Sequence, residues 1–326
     1  MVKISKIGEN AFLKQLFSEG HVHGGKDDCV VLRIGKNNVL ISTDSVSYST
    51  NLPAESTPSQ IGAFLASINL SDIAAMAGKP IGLLGSFIVP PSTEDRFLYE
   101  IVEAIDLKMK EFGSEYLGGD TKEGAELVLA GTAIGEQKDS VLRRRSDLKK
   151  GQILCVTGKQ GRAASGYIFY RSGYRKRQGI DLLLNFTPRI KEAQIISEYG
   201  GKFMTDLSDG IASAIAKAKE DFNIGFRIVQ NEIGLDRNVS RAILLSGASD
   251  LDLSLYFGGD YELMFTIEND NYRDFKDAME KNRIDVSFIG DSWEGENIIF
   301  DGEKWTTINR AGYEHFREPP KLGKIV

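Results

Sequence analysis

The chain has 326 residues, 41% of them hydrophobic and 26% charged, with a formal net charge of -6, a composition that excludes disordered and fibrous classes. Single cores stop growing at roughly 250 to 300 residues, so this length predicts two domains. An acidic balance with scattered basic residues argues against a nucleic-acid partner; the start of the chain offers no signal-peptide core or apolar run long enough for a membrane span, and the expected location is the cytoplasm.

A polar, glycine-bearing loop at 20–26 contains His21 and His23, which read as solvated. Two β-prone runs follow at 29–34 and 39–43, joined by Gly35-Lys36-Asn37-Asn38, and predict a hairpin. Thr57 is a suitable N-cap with Pro58 at the first helical position, and Ile61, Leu65 and Ile68 recur at helical spacing, so a helix should run to about Met76. A second helix begins near Ser92 or Thr93, carries Phe97, Ile101, Ile105 and Met109 on one face, and ends at Gly113. Gly118-Gly119-Asp120-Thr121 reads as a tight loop before a strand at 127–134.

Lys149-Lys150-Gly151 precedes a fresh strand at 153–157, which sets a domain boundary between 149 and 150. The second half continues with a helix from about Arg162, another over 188–199, one after Ser208, a strand at 263–267, a helix with Tyr272, Phe275 and Met279 on one face, and a strand at 286–289. Thr157-Gly158-Lys159-Gln160-Gly161 lacks the Gly-Lys-Ser/Thr ending of a P-loop and reads as a βα turn. Cys29 and Cys155 lie in apolar runs and read as buried, reduced thiols. Arg143 and Arg144 read as solvated charges.

Acids recur at the ends of these elements. Asp27 and Asp28 open the first hairpin strand and Asp44 closes the second, so antiparallel pairing collects all three at one end. Asp72 lies eleven residues beyond Ile61, close to three helical turns, and shares the apolar face. Asp206 and Ser208 stand before a helix and are plain candidates for its cap. Carboxylates gathered without matching bases repel one another unless a cation neutralises them. Magnesium suits a few carboxylates completed by water and substrate phosphate, and no thiolate-imidazole set is present for zinc.

Gly25-Lys26-Asp27-Asp28, Ser42-Thr43-Asp44, Asn69-Leu70-Ser71-Asp72-Ile73-Ala74-Ala75-Met76, Gly118-Gly119-Asp120-Thr121 and Asp206-Leu207-Ser208-Asp209-Gly210, in this order, resemble the motifs of thiamine-monophosphate kinases of the archaeal type, within the aminoimidazole-ribonucleotide synthetase-like superfamily. Arg145 followed by Lys149-Lys150-Gly151, then Gly259-Asp260-Tyr261-Glu262-Leu263, and Gly312-Tyr313-Glu314-His315-Phe316 extend the resemblance over nearly the whole chain. It implies α/β and α+β classes in a two-domain fold: an amino-terminal domain, 1–149, that binds ATP and magnesium and forms a homodimer through its sheet, and an α+β carboxy-terminal domain, 150–326, that completes the site. It also implies in-line transfer of the γ-phosphoryl group of ATP onto thiamine monophosphate, assisted by several magnesium ions, with no protein nucleophile. By the same matching, Asp28, Ser42, Thr43, Asp44, Asp72, Asp120, Asp206 and Asp209 hold metal, with Asp44, Asp72 and Asp120 central to catalysis. Gly119, Asp120, Arg145 and Ser208 meet ATP, and Asn51 and Tyr313 meet the substrate.

Two positions depart from the bacterial pattern: Asn51 stands where a histidine contacts substrate, and Gly259 where a glutamate precedes Asp-Tyr-Glu-Leu. Both leave the metal acids intact and bear on the acceptor alone. The alternatives are another ATP-using enzyme of the superfamily, of the hydrogenase-maturation or purine-synthesis kind, and a catalytically silent nucleotide-binding protein. The chain ends Gly323-Lys324-Ile325-Val326 without the carboxy-terminal cysteine of the hydrogenase-maturation relatives.

Overall fold

The computed structural model describes residues 3–24, 26–309, 312–316 and 322–324. Gly25 of the first motif, and Ile325 and Val326 at the end, lie outside the described residues. After helix α1 (Ile4–Ser18), the first half forms β1 (Val30–Ile34), β2 (Asn37–Ser47), α2 (Pro58–Ala75), β3 (Lys79–Val89), α3 (Asp95–Glu111), β4 (Glu115–Glu123) and β5 (Val128–Gln137). The strands make one sheet in the order β1-β2-β5-β3-β4, antiparallel except for the β3-β4 pair.

Local chemistry accounts for the framework. The hairpin closes over Gly35-Lys36 with Ile34 opposite Asn37, and Gly35 takes a left-handed φ of 64° that glycine adopts without steric cost. Thr57 caps α2 with Pro58 in its first turn, as expected from the sequence, and Gln60 completes a reciprocal capping box that the sequence reading did not name. Two expectations are corrected. Gly118-Gly119-Asp120-Thr121 is not a tight loop but the middle of β4. A Cβ on Gly119 would lie 1.7 Å from the Gly85 carbonyl oxygen, so this glycine permits the close β3-β4 approach. Arg143 and Arg144 are not simply solvated: Arg143 Nη2 donates to the Ser197 carbonyl at 2.8 Å, and Arg144 pairs with Asp27 at 3.3 Å.

The second half forms β6 (Ile153–Thr157), α4 (Arg162–Ser172), α5 (Lys176–Leu184), α6 (Ile190–Glu198), β7 (Gly201–Asp206), α7 (Ile211–Phe222), β8 (Gly225–Val229), α8 (Val239–Ser246), α9 (Asp250–Ser254), β9 (Leu263–Ile267), α10 (Tyr272–Lys281), β10 (Val286–Trp293), β11 (Ile298–Phe300) and β12 (Trp305–Thr307). Its sheet runs β12-β11-β8-β10-β6-β9-β7. The βα turn after β6 behaves as its sequence predicts. The N-terminus of α4 is closed by the protein's own carboxylate, Asp260, which accepts from the Gly161 and Ala163 amides at 2.6 and 2.8 Å.

Helix α2 is the piece that positions the site. One apolar cluster runs from Ile61, Leu65 and Ile73 of α2 through Ile101 and Ile105 of α3 to Ile196, Phe265 and Phe275 of the second half. A helix buried on most of its circumference carries any polar residue it holds into the interior. The polar residues of α2 at its far end are Asn69, Ser71 and Asp72, and they meet the strand ends that bear the other acids.

Candidate active site

The Asp28, Asp72 and Asp206 carboxylates each place an oxygen within 4.8 Å of the other two. They come from three separate elements: the segment before β1, the last turns of α2, and the end of β7. Ser42 Oγ hydrogen-bonds Asp72 Oδ2, and Ser71 Oγ donates to Asp206 Oδ2 at 2.7 Å. Asp28 is held by Arg145, whose Nη2 and Nε donate at 2.6 and 3.2 Å, and by Thr205 Oγ1 at 2.9 Å.

Burial and mutual repulsion disfavour the charged forms of Asp72, Asp206 and Asp44. Burial pushes the Asp72 carboxyl well above the usual carboxylate range, and the charges of Asp44, Asp206 and Asp28 push it further. Asp206 rises to about 7, chiefly by burial and then by the Asp28 charge. Asp44 is raised by burial too, and a hydrogen bond with the Asp72 carboxyl partly offsets this. The donor set is all oxygen, from carboxylates and hydroxyls, at mutual distances that one small divalent ion can bridge. That chemistry fits magnesium, which takes oxygen ligands at about 2.0–2.1 Å and keeps water in its remaining positions.

Asn69 builds the frame around the acids. It is fully buried on α2, its Nδ2 donates to the Leu65 carbonyl at 2.9 Å, and its Oδ1 accepts from the Asp44 amide at 3.1 Å. Space for it exists because position 131 on β5 is glycine: a Cβ there would lie 2.5 Å from Asn69 Nδ2. On the opposite wall, the Gly259 amide donates to the Ser208 carbonyl at 2.7 Å and the Leu207 amide to the Glu262 carbonyl at 2.8 Å. The 258–262 segment therefore backs the Asp206–Asp209 strand-to-helix turn. Tyr261 is held in that segment with a left-handed φ of 53°, stacked on Phe186 at 4.3 Å between ring centres.

Residues 26–137 match the family described as AIR synthase related protein, N-terminal domain. A thiamine-monophosphate kinase of Methanospirillum hungatei is 31% identical over 89% of this chain and 92% of its own length. The chain belongs to the thiamine-monophosphate kinase family. The Pyrococcus horikoshii thiamine-monophosphate kinase is 28% identical over 96% of this chain and 98% of its own. The same fold is seen in the solved structure described as AaThiL complexed with AMPPCP and TMP, with a TM-score of 0.86, 20% identity, and coverage of 97% of this chain and 99% of that one.

Against the family's motifs, the structure brings together Asp28, Ser42, Asp44, Asp72 and Asp206. Asp209 adjoins them: its charge contributes to raising the Asp44 carboxyl, and Lys217 pairs with it at 3.0 Å. The cap expected of Asp206 or Ser208 is absent; Gly210 occupies the N-cap of α7 and no side chain caps it. Ser208 is exposed at that turn. Tyr313 docks beside the same turn, its amide donating to the Asp209 carbonyl at 3.3 Å. Asn51 Oδ1 accepts from the Ser47 amide at 3.2 Å and from Thr50 Oγ1 at 2.7 Å, closing the turn after β2.

Thr43 and Asp120 are not in the cluster of a single chain. Strand alternation turns Thr43 away from Ser42 and Asp44, where its Oγ1 donates to the Gly131 carbonyl at 2.8 Å and accepts from Thr132. Asp44 pairs with Gly131, Gly131 with Gly85, and Gly85 with Gly119 beside Asp120. That is three strand spacings, about 14 Å. Asp120 is exposed, 3.4 Å from Lys122. His21 and His23 are exposed, and His21 lies 3.5 Å from the Glu19 carboxylate. Asn69, Ser71 and Thr205 are the residues that motif reading passed over as site members; a buried asparagine on an otherwise apolar helix face was the available signal for the first.

Proposed function

We propose that this chain phosphorylates thiamine monophosphate with ATP at the Asp28–Asp72–Asp206 cluster, giving thiamine diphosphate and ADP. The observation that carries the site is the convergence of three carboxylates from three elements within 4.8 Å, where burial and neighbouring carboxylates push the Asp72 carboxyl well above its ordinary range. A terminal phosphate oxygen of thiamine monophosphate forms the new bond to the γ-phosphorus as the bond to the β,γ-bridging oxygen breaks. Magnesium bound by Asp28, Asp72 and Asp206, with Asp44 and Ser42 beside them, would neutralise the phosphate charge. Asp209 and Ser208 extend the site along the α7 turn, Arg145 reaches the ATP phosphates as a planar fork, and Tyr313 offers an aromatic face to the acceptor. Asn51, in the loop after β2, is assigned to the acceptor side.

The two-domain division at 149/150, the homodimer and a cytoplasmic location belong to the same reading. In support of the dimer, the sheet face turned away from α2 and α3 shows Val30, Leu32, Ile34, Leu84 and Ile88 to solvent, each more than 40% exposed. A five-stranded antiparallel-rich sheet tolerates one wet face, but an apolar one wants cover. Thr43 and Asp120 lie on that face, so in a sheet-mediated dimer each would serve a site shared between two copies, with Gly119 alongside. Among the described residues no helix is long and apolar enough to cross a membrane.

Incubation of the purified protein with ATP and thiamine monophosphate, with and without magnesium, tests the reading by chromatography of both products. Magnesium-dependent thiamine diphosphate is expected. ATP consumption without it would transfer the protein to another activity of the superfamily, and no turnover would favour the silent nucleotide binder.

A further inference from the structure

Arg145 occupies a place that the proposed reaction does not explain. Its guanidinium is aimed into the acid cluster: Nη2 donates to Asp28 Oδ1 at 2.6 Å and to Thr205 Oγ1 at 2.8 Å, Nε to Asp28 Oδ2 at 3.2 Å, and Nη1 to the Lys26 carbonyl at 3.2 Å. Its backbone amide donates to Asp27 Oδ1 at 2.7 Å. The side chain is 19% exposed and that of Asp28 only 3%. A carboxylate has about four lone-pair sites, and three at Asp28 are taken, two by Arg145 and one by Thr205. Asp28 is also one of the three acids close enough to share an ion.

A guanidinium and a divalent cation therefore draw on one carboxylate from inside the same buried pocket, and their like charges oppose simultaneous occupation. We propose that Arg145 is a built-in competitor of the metal: it holds Asp28 until a divalent ion takes that carboxylate, and its transfer to nucleotide phosphate couples metal loading to ATP binding. The coupling follows from linkage. Nucleotide phosphate that draws Arg145 away strengthens metal binding, and metal at Asp28 strengthens nucleotide binding by the same factor. The backbone anchor on Asp27 keeps the swing local, because only the side chain has to move. This inference rests on the acid cluster being the metal site.

The test uses manganese, followed by its electron paramagnetic resonance signal, with the full-length wild type, Arg145→Met, Arg145→Lys and Asp72→Asn, each with and without a non-hydrolysable ATP analogue. Without nucleotide, Arg145→Met should bind manganese on the order of 10-fold more tightly than wild type, within the range usual for coupled sites. Its affinity for the analogue should fall by a similar factor. Arg145→Lys keeps the charge but cannot make the two-pronged contact, so it should show the same signs with smaller size, and it serves if the methionine variant does not fold. A merely structural role for Arg145 would weaken both ligands together. Manganese binding no tighter in either variant than in wild type overturns the competition, provided Asp72→Asn abolishes binding. Wild-type protein that binds no manganese overturns the metal site itself, and the competition with it. The acceptor does not enter this assay, so its outcome is independent of whether thiamine monophosphate is the substrate.

Discussion

Asp206→Asn should stabilise the protein at alkaline pH while disabling it. Asp206 is 6% exposed, and its carboxyl is pushed from the ordinary 3.8 to about 7 by burial and then by Asp28. Because the native value lies above the unfolded one, the folded chain keeps a proton that the unfolded chain releases as pH rises from about 4 to 7. Stability is therefore full below the unfolded value and is lost as pH climbs through the folded one. A gap of that size corresponds to about 4 kcal/mol, from 1.36 kcal/mol per pH unit. An amide at this position can still accept from Ser71 Oγ but carries no charge. Urea denaturation from pH 4 to pH 8 in chelator should show wild type losing stability and Asp206→Asn losing less, with Asp72 and Asp44 accounting for the part that remains, so that the variant is the more stable protein at pH 8. Magnesium at about 100 times its dissociation constant should return about 2.7 kcal/mol to wild type and little to the variant. Parallel pH slopes for the two proteins, or equal gains from magnesium, would refute the reasoning.

Asp72→Asn and Asp120→Asn should each abolish phosphoryl transfer, with losses of about 10³-fold or more as expected where charge stabilisation carries catalysis, while circular dichroism remains that of the wild type; full activity in both would sink the metal-acid assignment. Asn69→Ala removes the acceptor for the Asp44 amide and should cost about 1–3 kcal/mol in a denaturation midpoint, with turnover falling as Asp44 loses its anchor. Arg189→Met strips the buried Glu262 carboxylate of its two-pronged partner and should cost about 3–5 kcal/mol, read in the same denaturation series. Leu84→Glu sets a charge in the apolar outer face of the first sheet and should convert a dimer to monomers in light scattering; an unchanged mass would show that this face does not assemble the protein.

How far the sequence reached depended on whether a signal was local. The β1-β2 hairpin and the capped start of α2 were legible because each signal is local: Gly35 sits in the turn it makes, and Thr57 and Pro58 stand in the first turn of the helix they start. Strand β3, interior to the first sheet between β5 and β4, has no clear sequence signal because Pro80, Gly82 and Gly85 break up the β-prone pattern, and their reasons lie elsewhere in space: Leu117 and Phe87 fill the room that side chains at 82 and 85 would need. The acids were found by kind and order, and helical spacing correctly carried Asp72 inward. Order does not say which face of a strand a residue takes in a sheet whose neighbours are unknown. Ser42 and Thr43 are adjacent in one motif, yet the pleat sends the first to the acids and the second to the outer face. The motif at 118–121 reads as a tight loop because two glycines usually mean a turn; in the fold Gly119 instead lets two parallel strands approach. Both residues that the motifs group with the metal acids and a single chain does not, Thr43 and Asp120, lie on the outer face of the first sheet with the exposed Leu84 and Ile88. Their placement on that face is what the proposed sheet-mediated dimer accounts for, and light scattering of Leu84→Glu tests it.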